Sequence, residues 1–419
     1  MKNNFNFIER NIAKFLSRTP YFKKNIKKSY QRINYHIYKK KYRFKSNFKI
    51  DNCAHKNFDT FFGYYDKSPI NSKNQFIIYH SSELNTQNLP NSEIPIQIVL
   101  YNLLKNKVVK TFMTHSYNWQ QGAKLQWIDD KRFIYNDYDK QKDRYISKIV
   151  NTDKIDVEKA LDYPIYDVYN DFSLTLNFDR LNILRPDYGY RNRKENINFS
   201  NNKNEGIFYI DLKNNASKLI ISFDNVIKLH YKENMENAKH WFNHIMISPN
   251  GDKFMFLHRW LDGNRKFDAL IISDINGNNV KCLADDDMVS HCFWNGNSKI
   301  ISFMRDKNLG DNYYLINIKS NKRKILGKGI IDKFGDGHPS IYKNMMLFDT
   351  YPNKARMKEL YLFNMDDKRL IKLGEFFESL KYYEETRCDL HPRWSPDGKK
   401  IFFDSVHSGK RFLYSIDWK

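Results

Sequence analysis

Four histidines, His244, His291, His338 and His391, follow one another at intervals of 47, 47 and 53 residues. If an architecture brings such repeat-related side chains to one place, their imidazole nitrogens make a site for a divalent transition metal such as Mn, Fe or Zn. Asp336 and Asp389, close to them in sequence, are carboxylates of the kind that fix ring tautomers by accepting the second ring N–H. The bland alternative is that each histidine bonds the backbone of a neighbouring repeat and stitches the structure together.

The stretches that carry these histidines show what must position them. Residues 389–398 read Asp-Leu-His-Pro-Arg-Trp-Ser-Pro-Asp-Gly, followed by the strand Lys-Lys-Ile-Phe-Phe-Asp, and residues 244–256 repeat the unit with Asn-Gly at the turn. Glycine accepts positive φ there, and the Asp or Asn side chain can bond the backbone ahead. Further copies begin at His291 and His338. A period near 50 residues with strands and turns inside each unit predicts an all-β fold, a β-propeller. Counting units gives seven blades over residues 46–419, after a basic helical arm at 1–45. The last unit lacks an outer strand, which a strand within residues 46–61 is expected to supply, closing the ring and removing its open edge.

In a blade, the start of the first strand and the end of the second share a rim. That adds to the four histidines His80, Asn136-Asp137, Asp179-Arg180, His258-Arg259, Arg305-Asp306, Asp349, Asp404 and His407. Metal ligation is assigned to His244, His291, His338 and His391. Catalytic candidates are His258, Arg259 and Arg180. Arg305, Arg387 and Arg393, with Arg180, Arg185 and Arg259, are read as a cationic basin, since guanidinium forks match carboxylates. Tyr64, Tyr65, Gln120, Gln121 and Trp260 offer hydrogen-bonding and stacking surface of the kind sugars use. His230 and His240 lie in an irregular polar stretch and are given no role.

The chain has 419 residues and a formal net charge of +22. Residues 1–50 hold 15 Lys/Arg against the single acid Glu9, while the remaining 369 hold 55 basic and 47 acidic side chains. The same fifty residues carry eleven Phe or Tyr. Phe5, Ile8, Ile12 and Phe15, then Phe22, Ile26, Tyr30, Ile33 and Ile37, fall at helical spacing, with Thr19-Pro20 between the two runs. Apolar and cationic faces on such helices suit an anionic membrane surface; packing on the propeller or a partner is the alternative. No reading motif for nucleic acid accompanies the charge, so no nucleic-acid partner is expected. The four cysteines form no CxxC pair, which argues against a zinc knuckle and for free thiols. Neither a membrane span nor a signal-peptide core is evident, so a cytoplasmic protein, peripheral on the inner face of the cell membrane, is expected.

The Ser-Pro-Asp-Gly-Lys and Ser-Pro-Asn-Gly-Asp turns resemble the repeats of TolB-type propellers. With the histidine set added, the chain resembles the oligogalacturonate lyase family, seven-bladed propellers that bind a divalent metal through histidines and a glutamine and cleave uronic-acid oligosaccharides by β-elimination. The resemblance implies metal ligation by His391 in Asp-Leu-His-Pro-Arg and His338 in Gly-His-Pro-Ser, with Gln120 or Gln121 as the amide ligand. Arg393 stands where that pattern wants a further histidine. The basic arm is similar to those on cytoplasmic proteins of bacterial surface-polysaccharide assembly.

These readings converge on a glycan-active propeller, most concretely a metal-dependent lyase for an acidic saccharide. A metal and arginines would neutralise the substrate carboxylate and lower the pKa of the adjacent C–H, and His258 or Arg259 would take the proton. A non-catalytic propeller that binds a glycan or protein is the alternative, because fold alone does not choose between them. A glycosyltransferase ranks last: no nucleotide-sugar motif or Rossmann pattern is present, and no nucleotide cofactor is expected.

Overall fold

The computed structural model describes residues 20–54, 57–193, 196–200 and 202–418. Seven antiparallel sheets follow one another along the chain and make the seven blades of a β-propeller. Blades one to seven occupy residues 59–114, 126–161, 167–222, 239–284, 289–325, 340–377 and 393–417.

The turn chemistry works as its residue types dictate. In Ser248-Pro-Asn-Gly251 the Ser248 hydroxyl accepts the Lys253 N–H at 3.0 Å, and Gly251 sits at φ +75°. Ser395 and Gly398 repeat this, with the Lys400 N–H at 2.9 Å and φ +70°. A Cβ on Gly251 would lie 2.3 Å from the Tyr169 ring, and one on Gly398 2.1 Å from the Tyr342 ring. Tyr169 and Tyr342 end the first strands of the preceding blades. Glycine therefore serves twice, for the positive φ and for the packing of blade on blade.

Closure is made from the N-terminal side. Asp51–Asn52 pairs with Phe412–Asp417 as the outer strand of blade seven, which has only three strands of its own. Just before it, Phe44–Lys45 adds a fifth strand to blade six by pairing with Leu370–Phe377, a contact the blade pattern does not foretell. Helix α1, Pro20–Tyr38, rests on the same sector: Tyr35 packs on Phe377 with ring centroids 5.5 Å apart, and Lys28 Nζ lies 4.5 Å from the centre of the Tyr383 ring. The helix expected around Phe5–Phe15 lies outside the described residues.

Two short helices interrupt the repeat. Helix α2, Phe178–Leu184, follows the second strand of blade three, and the Asn177 side chain caps it by accepting from the N–H groups of Asp179 and Arg180. Asp179 and Arg180 thus start a helix instead of ending a strand. Helix α3, Phe223–Leu229, joins blades three and four behind a reciprocal cap between Ser222 and Asn225.

Candidate functional site

The four repeat-related histidines meet. Ring centroids are 5.6 Å apart for His244 and His291, 4.1 Å for His291 and His338, and 4.3 Å for His338 and His391. His244 and His291 sit where the register of their first strands shifts, between Asn243 and Met246 and between Val289 and Cys292. Such bulges re-aim a side chain. His244 and His391 also hold positive φ, +54° and +44°, a conformation that non-glycine residues keep only when their surroundings enforce it. Tyr64 and Tyr65 fill the centre: Tyr64 lies 4.9 Å from His391 and 5.3 Å from His244, and Tyr65 5.4 Å from His338. Tyr188, from the loop after α2, reaches in to 5.9 Å from both Tyr64 and His244.

Three of the rings have Nδ1 held from behind. Asp336 accepts from His291 at 3.0 Å, Asp349 from His338 at 2.9 Å, and the Gly63 carbonyl from His391 at 3.0 Å. With Nδ1 carrying the proton, Nε2 of each neutral ring has a lone pair to give. Nε2 of His338 and of His391 is buried and has no hydrogen-bond partner among the described residues. The tautomer-fixing role expected of Asp336 is present. Asp389 acts differently: Lys358 and Arg387 hold its carboxylate at 3.0 and 2.7 Å.

The electrostatics separate the rings. Burial pushes His391 well below the ordinary histidine value, and the neighbouring His338, Arg393 and Arg387 add to this. Burial and then Arg259 do the same to His244. Burial lowers His291 despite Asp336. For His338 burial also opposes charge, but Asp349 first, then Asp389 and Asp336, outweigh it and raise the ring. Donor atoms of His338, Asp389 and His391 lie within 4.8 Å of one another. Two imidazoles and a carboxylate, with orphaned Nε2 atoms, fit Mn, Fe or Zn.

Beside this cluster is a cavity of about 610 Å³, lined among others by Lys266, Ser290, Arg305, Asp336 and Tyr351. Tyr351 lies 5.9 Å from His338. Lys266, 41% exposed, is 3.2 Å from Asp268. Burial and then Arg259 bring its ammonium down to about 8, against the pull of Asp268. The blade pattern gave no reason to single out Lys266, which sits at the start of a third strand.

The arginines are not an open basin. Each has a carboxylate partner: Arg180 with Glu205, Arg185 with Asp187, Arg259 with Asp268, Arg305 with Asp311, Arg387 with Asp389 and Asp187, and Arg393 with Asp404. A buried guanidinium needs such a counter-charge. Arg393 also bonds the carbonyls of Gly63 and Tyr64 and so props the segment carrying Tyr64. Arg180 donates to the His240 carbonyl and lies over Phe223, fastening α2 to blade four.

Other rim candidates are dispersed. Gln121 donates to the Tyr166 hydroxyl, which itself accepts the His244 N–H. Gln120 donates to the Arg387 carbonyl. Oε1 of both amides is buried without a partner among the described residues. His258 has both ring nitrogens on other histidines, His230 and His240, each at 2.9 Å; the Trp260 ring lies beside it, tilted, with centroids 5.2 Å apart. His80 accepts the Ala123 N–H and stacks on Phe61. Asn136 bonds the backbone of Ile165 in the connection to the next blade, Asp137 pairs with Lys148, and Asp306 with Arg323. His407 packs outward against Phe44 and Phe376.

No family model matches the sequence, and no curated protein matches it. Solved structures do. An oligogalacturonate lyase in complex with manganese superposes with a TM-score of 0.61 at 14% identity, over 91% of this chain and 95% of that one. Oligogalacturonate lyase from Vibrio parahaemolyticus gives 0.58 at 12%, over 90% and 98%. The fold is the one these lyases share. TolB from Acinetobacter baumannii also matches, with a TM-score of 0.37 at 13% identity over 77% and 76%.

Proposed function

We propose that this chain is a glycan-active enzyme, a lyase that binds an acidic, uronic-acid-containing saccharide at the histidine cluster and cleaves it by β-elimination with the help of a divalent metal. The observation that carries the reading is the pair of buried, unpartnered Nε2 atoms on His338 and His391, with Asp389 beside them and a cavity of sugar size adjoining.

His338, His391 and Asp389 would hold the metal, and Asp349 and the Gly63 carbonyl keep the two rings turned toward it. Bound there, the metal would supply Lewis acidity that withdraws electron density from a coordinated carboxylate. Arg305 and Tyr351 are placed to contact the sugar in the cavity. Lys266 is the base. It lines the cavity, and with its pKa lowered to about 8 a minor fraction is the uncharged amine at neutral pH, rising as the medium turns alkaline. It takes the proton on the carbon next to the carboxylate, that electron pair becomes the new C=C bond, and the β C–O bond breaks with its electron pair going to the leaving oxygen, which takes a proton from water. His258 is not the base in this scheme because both its nitrogens are engaged, and Arg259 acts by lowering Lys266.

The test is incubation with oligogalacturonate and other uronic-acid oligosaccharides in Mn, read by the ultraviolet absorbance of the unsaturated product. Absorbance that grows with wild type and is absent in Lys266→Met and His338→Ala is expected. No product from any acidic glycan would overturn the reading.

The second reading is a non-catalytic, glycan- or protein-binding propeller. The Arg393–Asp404 ion pair favours it, because it occupies the place of a further histidine ligand. In either case we propose that the arm rests on an anionic membrane surface. Ile26, Ile33 and Ile37 form one stripe on α1 and are exposed, while Asn34 and Tyr35 face the propeller. No described helix is long and apolar enough to cross a membrane.

A further inference from the structure

The sequence offers no reason to group His230, His240 and His258, yet the structure links them in one hydrogen-bonded file. His230 Nε2 lies 2.9 Å from His258 Nδ1, His258 Nε2 lies 2.9 Å from His240 Nδ1, and His240 Nε2 lies 3.0 Å from the Met235 carbonyl. A neutral imidazole carries one N–H, and a carbonyl only accepts. His240 must therefore place its proton on Nε2, which leaves its Nδ1 to accept from His258. His258 in turn holds its proton on Nε2 and accepts at Nδ1 from His230. The file ends with His230 protonated on Nε2 and bare on Nδ1. The rings are neutral: burial lowers His230 and His240 to about 4 and His258 well below its ordinary value.

His230 Nδ1 is buried and has no hydrogen-bond partner among the described residues. It faces two more donors. One ring nitrogen of His230, Cys282 Sγ and an Asp285 carboxylate oxygen lie within 4.8 Å of one another, and Nδ1 is the nitrogen that His258 leaves free. Cys282 belongs to the outer strand of blade four, Lys281–Ala284, and Asp285 follows it directly. His230 is the residue that ends α3.

We propose that His230 Nδ1, Cys282 Sγ and the Asp285 carboxylate form a second metal site, separate from the histidine cluster at the channel mouth, for a divalent cation of the zinc class. One imidazole, one thiolate and one carboxylate are the ligand types zinc takes, and three protein ligands leave a fourth position for water. Thiolate and carboxylate together balance the 2+ charge. Binding releases the Cys282 proton to solvent. Lys232, 3.5 Å from Asp285, also lies 3.7 Å from Asp287 and keeps that partner when the metal takes Asp285. The histidine file gives the ligand its direction, much as a carboxylate behind a histidine does in other metal sites. A cation here ties the end of α3 to the edge of blade four. The proposal does not depend on lyase activity.

The experiment is titration of the metal-free full-length protein with Co²⁺, followed by absorption spectroscopy. A cobalt–thiolate charge-transfer band reports only a site that contains a cysteine, whereas the channel-mouth ligands are nitrogen and oxygen. We expect a band that saturates near one Co²⁺ per chain, persists in His338→Ala, is displaced by Zn²⁺ and vanishes in Cys282→Ser. In parallel, Zn²⁺ slows alkylation of Cys282 in the wild-type protein at least tenfold, mapped by peptide mass. Absence of the band in wild type, its survival in Cys282→Ser, or alkylation at the same rate with and without Zn²⁺ overturns the proposal.

Discussion

One carboxylate sets the geometry of His338: Asp349 accepts its backbone N–H at 2.7 Å and its ring Nδ1–H at 2.9 Å. The other Asp349 oxygen takes the backbone N–H of His391 at 3.2 Å. Asp349 stands at the end of the second strand of blade six, so a single side chain orients the histidines of two adjacent blades.

Asp349→Asn therefore tests the site without emptying it. The amide puts an N–H group in place of one of the two oxygens on which three N–H donors converge. We expect divalent-metal affinity at the channel mouth to fall about 10–100-fold and stability to fall by about 1–3 kcal/mol. Metal titration and denaturant unfolding measure the two effects, and unchanged affinity would show that the ring directions are set elsewhere.

His391 sits at φ +44°. There the usual order of substitutions reverses: His391→Gly is expected to be more stable than His391→Ala by about 1 kcal/mol, since only glycine adopts this conformation without cost. Both variants lose the ring. Equal unfolding midpoints for the two would mean that the backbone is not strained there.

Acid should destabilise the protein in a defined window. Burial brings His80 down to about 3, with Arg393 adding to the effect, and burial brings His407 down to about 4. Both are neutral when folded, while the unfolded chain protonates them near pH 6.5. Unfolded protein then binds more protons, so stability is full above pH 6.5, declines as pH falls below it, and levels off once the folded pKa values are passed. Each histidine contributes a slope of up to about 1.4 kcal/mol per pH unit. His80→Gln keeps an acceptor for the Ala123 N–H and should flatten the profile; an unaltered slope between pH 6 and 4 would contradict the assignment.

The base assigned to the elimination has its own signature. Lys266 is effective only when uncharged, so turnover should rise with pH and reach a plateau above about 8. Lys266→Arg keeps the cation and Asp268 but remains protonated, and is expected to lose at least 100-fold in kcat with little change in KM. A pH profile already flat below 7 would remove Lys266 from this role.

For the arm, Ile33 and Ile37 are 60% and 67% exposed. Replacing both by Glu should leave the unfolding curve unchanged and abolish retention on vesicles containing anionic lipid. Equal retention of variant and wild type would leave the stripe without a membrane role.

The repeat made most of the fold legible. A histidine at the same place in each of four blades must arrive at the same end of the channel, so spacing alone leads to the cluster. Glycine after Asn or Asp at the turns likewise needs nothing beyond local conformation. What escaped is whatever depends on pairing between distant segments. Arg387 reads as a free cation until Asp187, two hundred residues away, is seen 3.1 Å from it. The file His230–His258–His240 depends on the course of the connector between blades three and four, which does not follow the repeat. Lys266 owes its lowered pKa first to burial and then to Arg259, on the neighbouring strand, and no period marks it.

The order in which the ring is built follows from its closure. Asp51–Asn52 is synthesised before any blade, and its partner Phe412–Asp417 after all the others. Phe44–Lys45 must wait nearly as long for Leu370–Phe377. Six blades can collapse locally as they emerge, but the two pairings, one completing blade seven and one adding an outer strand to blade six, span almost the whole chain, and contacts of that reach form slowly. Until they form, blade seven has a bare edge, the state most open to pairing with another copy. The same short segment is thus both the last piece to fold and the guard against aggregation.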